Sequence, residues 1–176
     1  MRVWSPLVRF VHWSVAALVV IDLVNEAGAN PWHRYLGYAA VALVIVRLVW
    51  GLGDTGYARL AVMAGSARRV LPYAKSLIAR RAGVYIGHNP LGALMACMLW
   101  ALILVVVTTG WAQQLDRFWG EAWLQDLHSA AAYVLAACVV IHVIGVLATS
   151  ALHRVNLVKA MITGKKTPGG GATFDS

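Results

Sequence analysis

Four apolar stretches divide this chain of 176 residues, and they restrict its fold more than any other feature of the sequence. They run approximately over residues 10–23, 35–52, 91–111 and 127–152. About 20 apolar residues cross a bilayer core as a helix; the last three stretches approach this length, and the first does so if residues 4–9 extend its helix. Backbone polar groups in hydrocarbon need partners within the protein, which favours helices. The sequence therefore predicts an all-α membrane protein, a four-transmembrane-helix bundle.

The overall composition agrees with a membrane location. Hydrophobic residues make up 60% of the chain and charged residues 12%, whereas soluble proteins contain about half and about a quarter. No small-residue cleavage site follows the first stretch, so we expect it to remain as a span rather than act as a cleaved signal. We expect one domain over residues 1–164 and a flexible cytoplasmic tail over residues 165–176, which contains three consecutive glycines.

The basic residues predict which side of the membrane each connection occupies. Of the fifteen Lys and Arg residues, twelve flank the spans on one side: Arg2, Arg9, Arg59, Arg68, Arg69, Lys75, Arg80, Arg81, Arg154, Lys159, Lys165 and Lys166. The opposite connections contain only Arg34 and Arg117. By the positive-inside rule, both termini and the long middle connection are cytoplasmic. Because this topology and anionic lipid headgroups account for the net charge of +8, the charge does not indicate nucleic-acid binding.

Four histidines fall at matching depths on different spans. His128 and His142 are fourteen residues apart in the fourth stretch, almost four helical turns, so they point in similar directions about 21 Å apart along the axis. His12 lies near the cytoplasmic end of the first span, and His33 opens the second span at the outer side. The set forms two predicted pairs, His12 with His142 near the cytoplasm and His33 with His128 near the outside. Two helices supply each pair, as cofactor sites in helical bundles require.

The chemistry of imidazole makes haem the predicted cofactor of these pairs. A neutral imidazole binds a metal through one nitrogen while a hydrogen bond holds the other, and it brings no net charge into lipid. Two imidazoles fill both axial positions of a haem iron, which suits the iron to passing single electrons. The absence of a CxxCH motif excludes covalent c-type attachment, and Cys97 and Cys138 are expected to be small apolar residues of helix contacts. In the alternative interpretation, the histidines make hydrogen bonds between helices or lie at the interface without a ligand.

Four arginines are candidates for binding haem propionates. Arg9, Arg47 and Arg154 lie near the cytoplasmic end and Arg34 near the outer end. Arg9 and Arg154 can equally extend to lipid headgroups, whereas Arg47 lies deeper in its span and is the better candidate. Asp22 is the only acid within a predicted span, and it either relays a proton to or from a quinone or reaches the interface.

The connections have local interpretations. In the sequence GHNPLG, Asn89 is expected to cap the third span and Pro90 to be its first residue, which makes His88 a capping-loop residue. Residues 73–85 form either an amphipathic helix on the inner surface or a solvated charged loop. A short turn over residues 25–32 connects the first two spans. The outer connection carries a predicted interfacial belt of tryptophans: Trp111, Trp119 and Trp123.

Motifs in or beside all four spans resemble those of the bacterial cytochrome b561 family. They are RFVHW around His12, HRYLGYAAVALVIVRLVWG from His33, GHNPLGALM before the third span, LHSAAAYVLAACVVIH ending at His142, and HRVNLVKAMITGKK after it. This family is related to the b-type cytochrome subunits of nickel-iron hydrogenases. The resemblance covers nearly the whole chain and implies a cytochrome of the bacterial inner membrane with two b-type haems. By position, His12 and His142 would bind the inner haem, and His33 and His128 the outer one.

The resemblance also implies a role in electron transport. Members pass electrons between membrane quinone and a redox partner, which can be a periplasmic cytochrome, a hydrogenase or a dehydrogenase. One branch oxidises superoxide while reducing quinone, so the chain is either an electron-transfer subunit or an oxidoreductase in its own right. The residues alone leave a different class open, a haem-free transporter or assembly subunit whose histidines relay protons or pack between helices.

Overall fold

Seven α-helices make up most of the described part of the chain. This computed structural model describes residues 1–25, 31–54, 56–79, 83–166 and 174–175. In chain order the helices are α1 (Pro6–Val24), α2 (Pro31–Gly53), α3 (Leu60–Ala67), α4 (Val70–Ile78), α5 (Pro90–Ala112), α6 (Ala122–His153) and α7 (Leu157–Thr163). Four of them, α1, α2, α5 and α6, are long and apolar enough to cross a membrane. The predicted all-α fold with four transmembrane helices is confirmed.

The long connection between α2 and α5 is largely helical. It contains α3 and α4, followed by the short strand β1 (Val84–Tyr85), which pairs in parallel with β2 (Phe174–Asp175). Residues 73–78 are helical, as the first of the two alternatives for residues 73–85 has it, and the position of this helix on the inner surface stays a prediction. Other parts of the predictions fall outside the described residues: Arg80, Arg81, residues 26–30 of the first turn, and residues 167–173 and 176 of the tail.

Side-chain caps set where two of the spans begin. Ser5 caps α1 and Asn89 caps α5, each accepting the backbone N–H three residues later, at 3.3 and 2.7 Å. A proline is the first residue of each helix, where its missing N–H would have no helical partner anyway. The predicted cap and start of the third span are confirmed. The first span is extended as predicted, but from Pro6 rather than from Trp4.

The fourth span is longer than its apolar stretch. α6 has 32 residues and measures about 48 Å at 1.5 Å per residue, so it extends beyond a hydrocarbon core about 30 Å thick. Its first two turns include Trp123 and the exposed Asp126. The shorter predicted span left Asp22 as the only acid in a spanning helix. This prediction is wrong, because α6 also contains Asp126. Hydropathy marks the hydrocarbon segment, whereas the helix continues into the interface.

Apolar side chains in the centre of the bundle hold the four spans together. Val19 of α1, Val44 of α2, Ile103 of α5 and Leu135 of α6 are buried in one cluster. Most other apolar side chains of the spans face outward, as expected where lipid is the solvent. The centre of the bundle is thus a packed apolar layer that separates its two ends.

The first residues of the chain and residues 164–166 lie together at one end of the bundle, which we call the terminal end. The opposite end, with residues 113–121, is the far end. At the terminal end, the backbone N–H of Val3 donates to the carbonyl of Gly164 at 2.8 Å. The amino terminus donates to the carbonyl of Lys166 at 3.2 Å. Lys166 is buried, and its ammonium donates to the carbonyl oxygens of residues 85 and 86. Segments before α1, after α7 and before α5 together close this end.

The predicted flexible tail begins within this closure. Arg2 and Lys165 pair as neighbours in antiparallel strands do, and Lys166 is buried. The first two residues of the predicted tail are therefore held by the N-terminal segment. The flexibility of the later residues stays a prediction, as does the cytoplasmic location of the terminal end.

Arg47 joins the second span to the connection that follows it. Its guanidinium is buried, donates to the carbonyl oxygen of Ala58 at 2.6 Å and lies 5.2 Å from the ring centre of Trp100. These two contacts offset part of the cost of burying the charge. Gly51, one turn later on α2, leaves room for this side chain. A Cβ at Gly51 would lie 2.6 Å from Nη1 of Arg47 and 2.8 Å from Cγ of Leu60.

His88 packs inside the terminal end. The centroid of its ring lies 4.7 Å from that of Trp4. Burial lowers the pKa of His88 from 6.5 to about 4, and the charges of Arg47 and Lys166 act in the same direction. His88 is therefore a neutral imidazole in the folded protein at neutral pH. It directly precedes Asn89, so its predicted place in a capping loop is confirmed.

Replacing Gly51 with alanine is expected to destabilise the protein. The added methyl group overlaps a buried arginine whose position is fixed by Ala58 and Trp100, and overpacking of this kind costs about 1–3 kcal/mol. Gly53→Ala is the matched control, because a Cβ at Gly53 meets nothing within 4 Å. We expect the thermal midpoint of the purified protein to fall by several degrees for Gly51→Ala only. Equal midpoints for the two variants would contradict this packing.

Acid is expected to destabilise the folded state in part through His88. The pKa of His88 is about 4 in the folded protein and about 6.5 in an unfolded chain. Between these values the unfolded state binds more protons, so stability falls as the pH falls through this window, by at most about 1.4 kcal/mol per pH unit. Thermal midpoints measured from pH 7 to about 4.5 should therefore fall less for His88→Gln than for the wild type. Parallel decreases would show that His88 does not stay neutral.

Candidate cofactor sites

The four histidines predicted as ligands come together in two pairs, one at each end of the bundle. At the terminal end, the rings of His12 on α1 and His142 on α6 have centroids 6.4 Å apart and planes inclined by 52°. At the far end, the corresponding values are 6.0 Å and 89° for His33 on α2 and His128 on α6. The structure thus brings together the same pairs that depth in the membrane predicts, and each pair joins two helices.

One face of α6 carries a member of both pairs. Between His128 and His142 the buried residues of this helix are Ala131, Leu135 and Cys138, spaced by three and four residues as on a single helical face. Apolar side chains therefore separate the two histidines along this face. Because fourteen residues span about 21 Å of helix axis, the two sites are distinct. α1 supplies the partner at the terminal end and α2 supplies it at the far end.

Hydrogen bonds define the tautomers of the far-end pair. Nδ1 of His33 lies 2.8 Å from Oδ1 of Asp22, and Nδ1 of His128 lies 3.0 Å from the carbonyl oxygen of Val106. A carboxylate and a carbonyl oxygen only accept hydrogen bonds, so Nδ1 carries the hydrogen in each ring. The hydroxyl of Thr109 also lies 3.1 Å from Nδ1 of His128. With the hydrogen on Nδ1, Nε2 is the nitrogen of each ring that is left to bind a metal.

The backbone of α5 approaches the far-end pair closely at Gly110. A Cβ at this position would lie 3.0 Å from Cε1 of His128, so a glycine lets the helix pass beside the imidazole. Thr109 and Gly110 were not among the candidates from the sequence. The available signal was a polar and a small residue side by side in an apolar span, at the depth of His128.

The terminal-end pair has a different environment. Nδ1 of His12 is buried and makes no hydrogen bond to any residue that the structure describes. The ring of Trp13 meets that of His12 edge-on, with centroids 5.2 Å apart. A polar nitrogen without a partner is costly in apolar surroundings. A group that binds this imidazole would therefore stabilise the folded protein.

The spacing of both pairs fits one metal between the two rings. An imidazole nitrogen binds a metal at about 2.0–2.1 Å and lies about 1.1 Å from its ring centre, so two rings on opposite sides of a metal have centres about 6.3 Å apart. The observed distances are 6.4 and 6.0 Å. Among the described residues, no group of three or more His, Cys, Asp or Glu side chains is placed to hold a metal ion. Haem fits these pairs, because the porphyrin supplies the other ligands and the protein needs only two.

At the terminal end, Arg9 and Arg47 are held in place by hydrogen bonds, and each has a buried N–H donor without a partner among the described residues. Nη1 of Arg47 is buried and has no hydrogen-bond partner within the described ranges. Arg9 donates through Nη1 to the carbonyl oxygen of Ile162, while its Nε is likewise unpaired in the part of the chain described. Arg154 is the C-cap residue of α6, with a left-handed backbone at a φ of 52° and an exposed side chain.

Arg34 makes a polar contact at the far end. Its Nη1 donates to Oε1 of Gln114 at 2.8 Å, and the amide of Gln114 donates to the hydroxyl of Tyr38 at 3.0 Å. These bonds link α2 to the segment that follows α5. Arg34 is next in sequence to His33, so the link lies close to the far-end pair. A guanidinium has five N–H donors, so this contact leaves Arg34 able to bind a second acceptor.

One protein family matches almost the whole chain. The family model described as prokaryotic cytochrome b561 matches residues 3–164, a range that contains all four spanning helices and both histidine pairs. No curated protein sequence matches the chain significantly. Proteins of this family are membrane cytochromes with b-type haem that act in electron transfer. The chain therefore belongs to the prokaryotic cytochrome b561 family, and it is a membrane-bound b-type cytochrome of electron transfer.

Proposed function

We propose that this cytochrome holds two b-type haems, one between each histidine pair, and passes electrons across the membrane between quinone and a redox partner. The main support is the presence of two facing histidine pairs at opposite ends of one bundle, with ring centroids 6.4 and 6.0 Å apart. A single haem would need only one such pair. Two sites along α6 provide successive positions for an electron that crosses the bundle.

His12 and His142 would hold the haem at the terminal end, and His33 and His128 the haem at the far end. Held by two histidines, a haem would supply single-electron transfer there. The task of the protein is to fix the orientation and the tautomer of each imidazole. At the far end, the two Nδ1 hydrogen bonds serve this purpose.

The candidate arginines would bind the propionates of the haems. A propionate carboxylate accepts strong, charge-assisted hydrogen bonds from a guanidinium. Arg47 and Arg9 have buried nitrogens without partners among the described residues, and Arg154 lies at the same end with an exposed side chain. Arg34 would serve the far-end haem. The buried, unused Nη1 of Arg47 is the strongest support for this part of the proposal.

The proposed partner docks at the far end and is a periplasmic cytochrome, a hydrogenase or a dehydrogenase. The side chains of His33 and Asp22 are 27% and 19% exposed. The far-end site thus lies near the surface, where electrons from a docked protein can reach it. The quinone pool, dissolved in the lipid around the spans, is the other electron carrier.

In this proposal the protein lies in the bacterial inner membrane with its terminal end in the cytoplasm. Arg34 and Arg117 are the two basic residues at the far end, whereas the other described basic residues outside the spans lie towards the terminal end. Connections rich in Lys and Arg remain on the cytoplasmic side of a membrane. The distribution of charge therefore supports a periplasmic far end.

Alanine substitution of any one proposed ligand is expected to remove one haem and leave the other. The single variants are His12→Ala, His142→Ala, His33→Ala and His128→Ala. The double variant His12→Ala/His142→Ala should lose no more haem than either single variant, because both residues bind the same haem. Combining His12→Ala with His33→Ala should remove both haems. Haem extraction and reduced-minus-oxidised absorption spectra of the purified proteins measure these losses.

His153→Ala is the matched control for these variants. His153 is the last residue of α6 and lies outside both pairs, so the variant should keep both haems. A wild-type protein with fewer than two haems would contradict the proposal. So would a result in which a single folded variant loses both haems, or in which losses from His12→Ala and His142→Ala are additive.

A further inference from the structure

Asp22 makes the two imidazoles of the far-end pair unequal. Its Oδ1 accepts the Nδ1–H of His33 at 2.8 Å. The Nδ1 of His128 instead lies beside the neutral oxygens of Val106 and Thr109, at 3.0 and 3.1 Å. One imidazole of the pair is thus bonded to an anion and the other to dipoles.

The position of Asp22 is unusual for a carboxylate. It lies in the last turn of α1, and acids within spanning helices are costly and mark functional sites. Its hydrogen bond with His33 is the one close contact between an acidic and a basic side chain found among the described residues. Asp126, the other acid in a span, is exposed near the start of α6 and needs no such explanation.

Among the residues that the structure describes, no carboxylate takes the equivalent place beside the terminal-end pair. Neither His12 nor His142 takes part in an ion pair within the described residues. Nδ1 of His12 has no hydrogen-bond partner there. The two sites have similar ring spacing but differ in the charge that lies next to a ligand.

A carboxylate that accepts a hydrogen bond from a ligating imidazole acts on the site in two ways. It holds the ring in one orientation and one tautomer, and it makes the imidazole a stronger donor to the metal. In addition, ferric iron carries one positive charge more than ferrous iron, so a nearby negative charge favours the ferric state. The charge and the stronger ligand both lower the reduction potential of a haem.

We propose that Asp22 is a positioning residue of the far-end site, which fixes Nε2 of His33 as the ligating nitrogen and lowers the reduction potential of the far-end haem. This inference rests on the proposed function, because it requires a haem between His33 and His128. The sequence suggested two alternatives for Asp22, to relay a proton or to reach the interface. The positioning of His33 is a third role.

Redox titration of the visible spectrum of the purified holoprotein at one pH tests this role. The proteins compared are the wild type, Asp22→Asn and Asp116→Asn. Asparagine keeps an acceptor oxygen near the same place and removes the charge. Asp116 is an exposed acid at the far end, outside both sites, and its replacement changes the net charge by the same amount.

In Asp22→Asn, the equilibrium constant for reducing one of the two haems should increase at least about tenfold, which corresponds to about 59 mV for a one-electron couple. The other haem should keep its potential, and Asp116→Asn should change neither. Asp22→Glu, which restores the charge, should return the shifted potential towards the wild-type value. Asp22→Ala removes the acceptor and should alter the electron paramagnetic resonance signal of one ferric haem only.

Unchanged potentials for both haems in Asp22→Asn would overturn the inference, as would an equal shift in Asp116→Asn. Asp22→Asn could instead lose one haem while Asp116→Asn retains both. If Asp22→Glu then regains that haem, the result supports the positioning role. If Asp22→Glu does not regain it, the result overturns that role. A wild-type protein with fewer than two haems overturns the proposed function instead. The two failures are therefore distinguishable.

Discussion

Both candidate sites of this bundle depend on imidazoles that face each other from different helices. An imidazole inside hydrocarbon needs a partner, because an unpaired polar group there is costly. α6 carries one member of each pair, and α1 and α2 carry the other members. The pairs thus place α6 opposite α1 at one end of the bundle and opposite α2 at the other. α5 contributes backbone rather than a ligand: Gly110 allows it to pass close to His128, and the carbonyl of Val106 accepts from that ring.

The two ends of the bundle differ in structure and in charge. The terminal end is closed by the N-terminal segment, the connection before α5 and the residues after α7, and it contains the buried cations Arg47 and Lys166. The far end places a carboxylate, Asp22, against a histidine near the surface. In a dihaem protein these charges would set the two haems in unlike electrostatic surroundings. An electron that crosses the bundle would pass between them.

The spans and the histidine pairs could be predicted from the sequence because hydropathy and helical spacing are local properties. His128 and His142 point the same way because of the geometry of a single helix. The contact between Asp22 and His33 could not be predicted, because it depends on how the end of α1 packs against the start of α2. For the same reason Gly110 was missed, since only the packing of α5 on α6 brings it beside His128. α3 lies in a connection without a strong periodic pattern and was not predicted either.

The haem content and spin state of the purified wild-type protein test the two-site arrangement most directly. Two facing histidine pairs predict two haems per chain, and ligation by two strong-field imidazoles makes each of them low spin in the ferric state. Haem extraction gives the ratio of haem to protein, and electron paramagnetic resonance gives the spin state. Two low-spin haems per chain would agree with ligation by both pairs. A single haem, no haem, or a high-spin ferric signal from intact protein would contradict it.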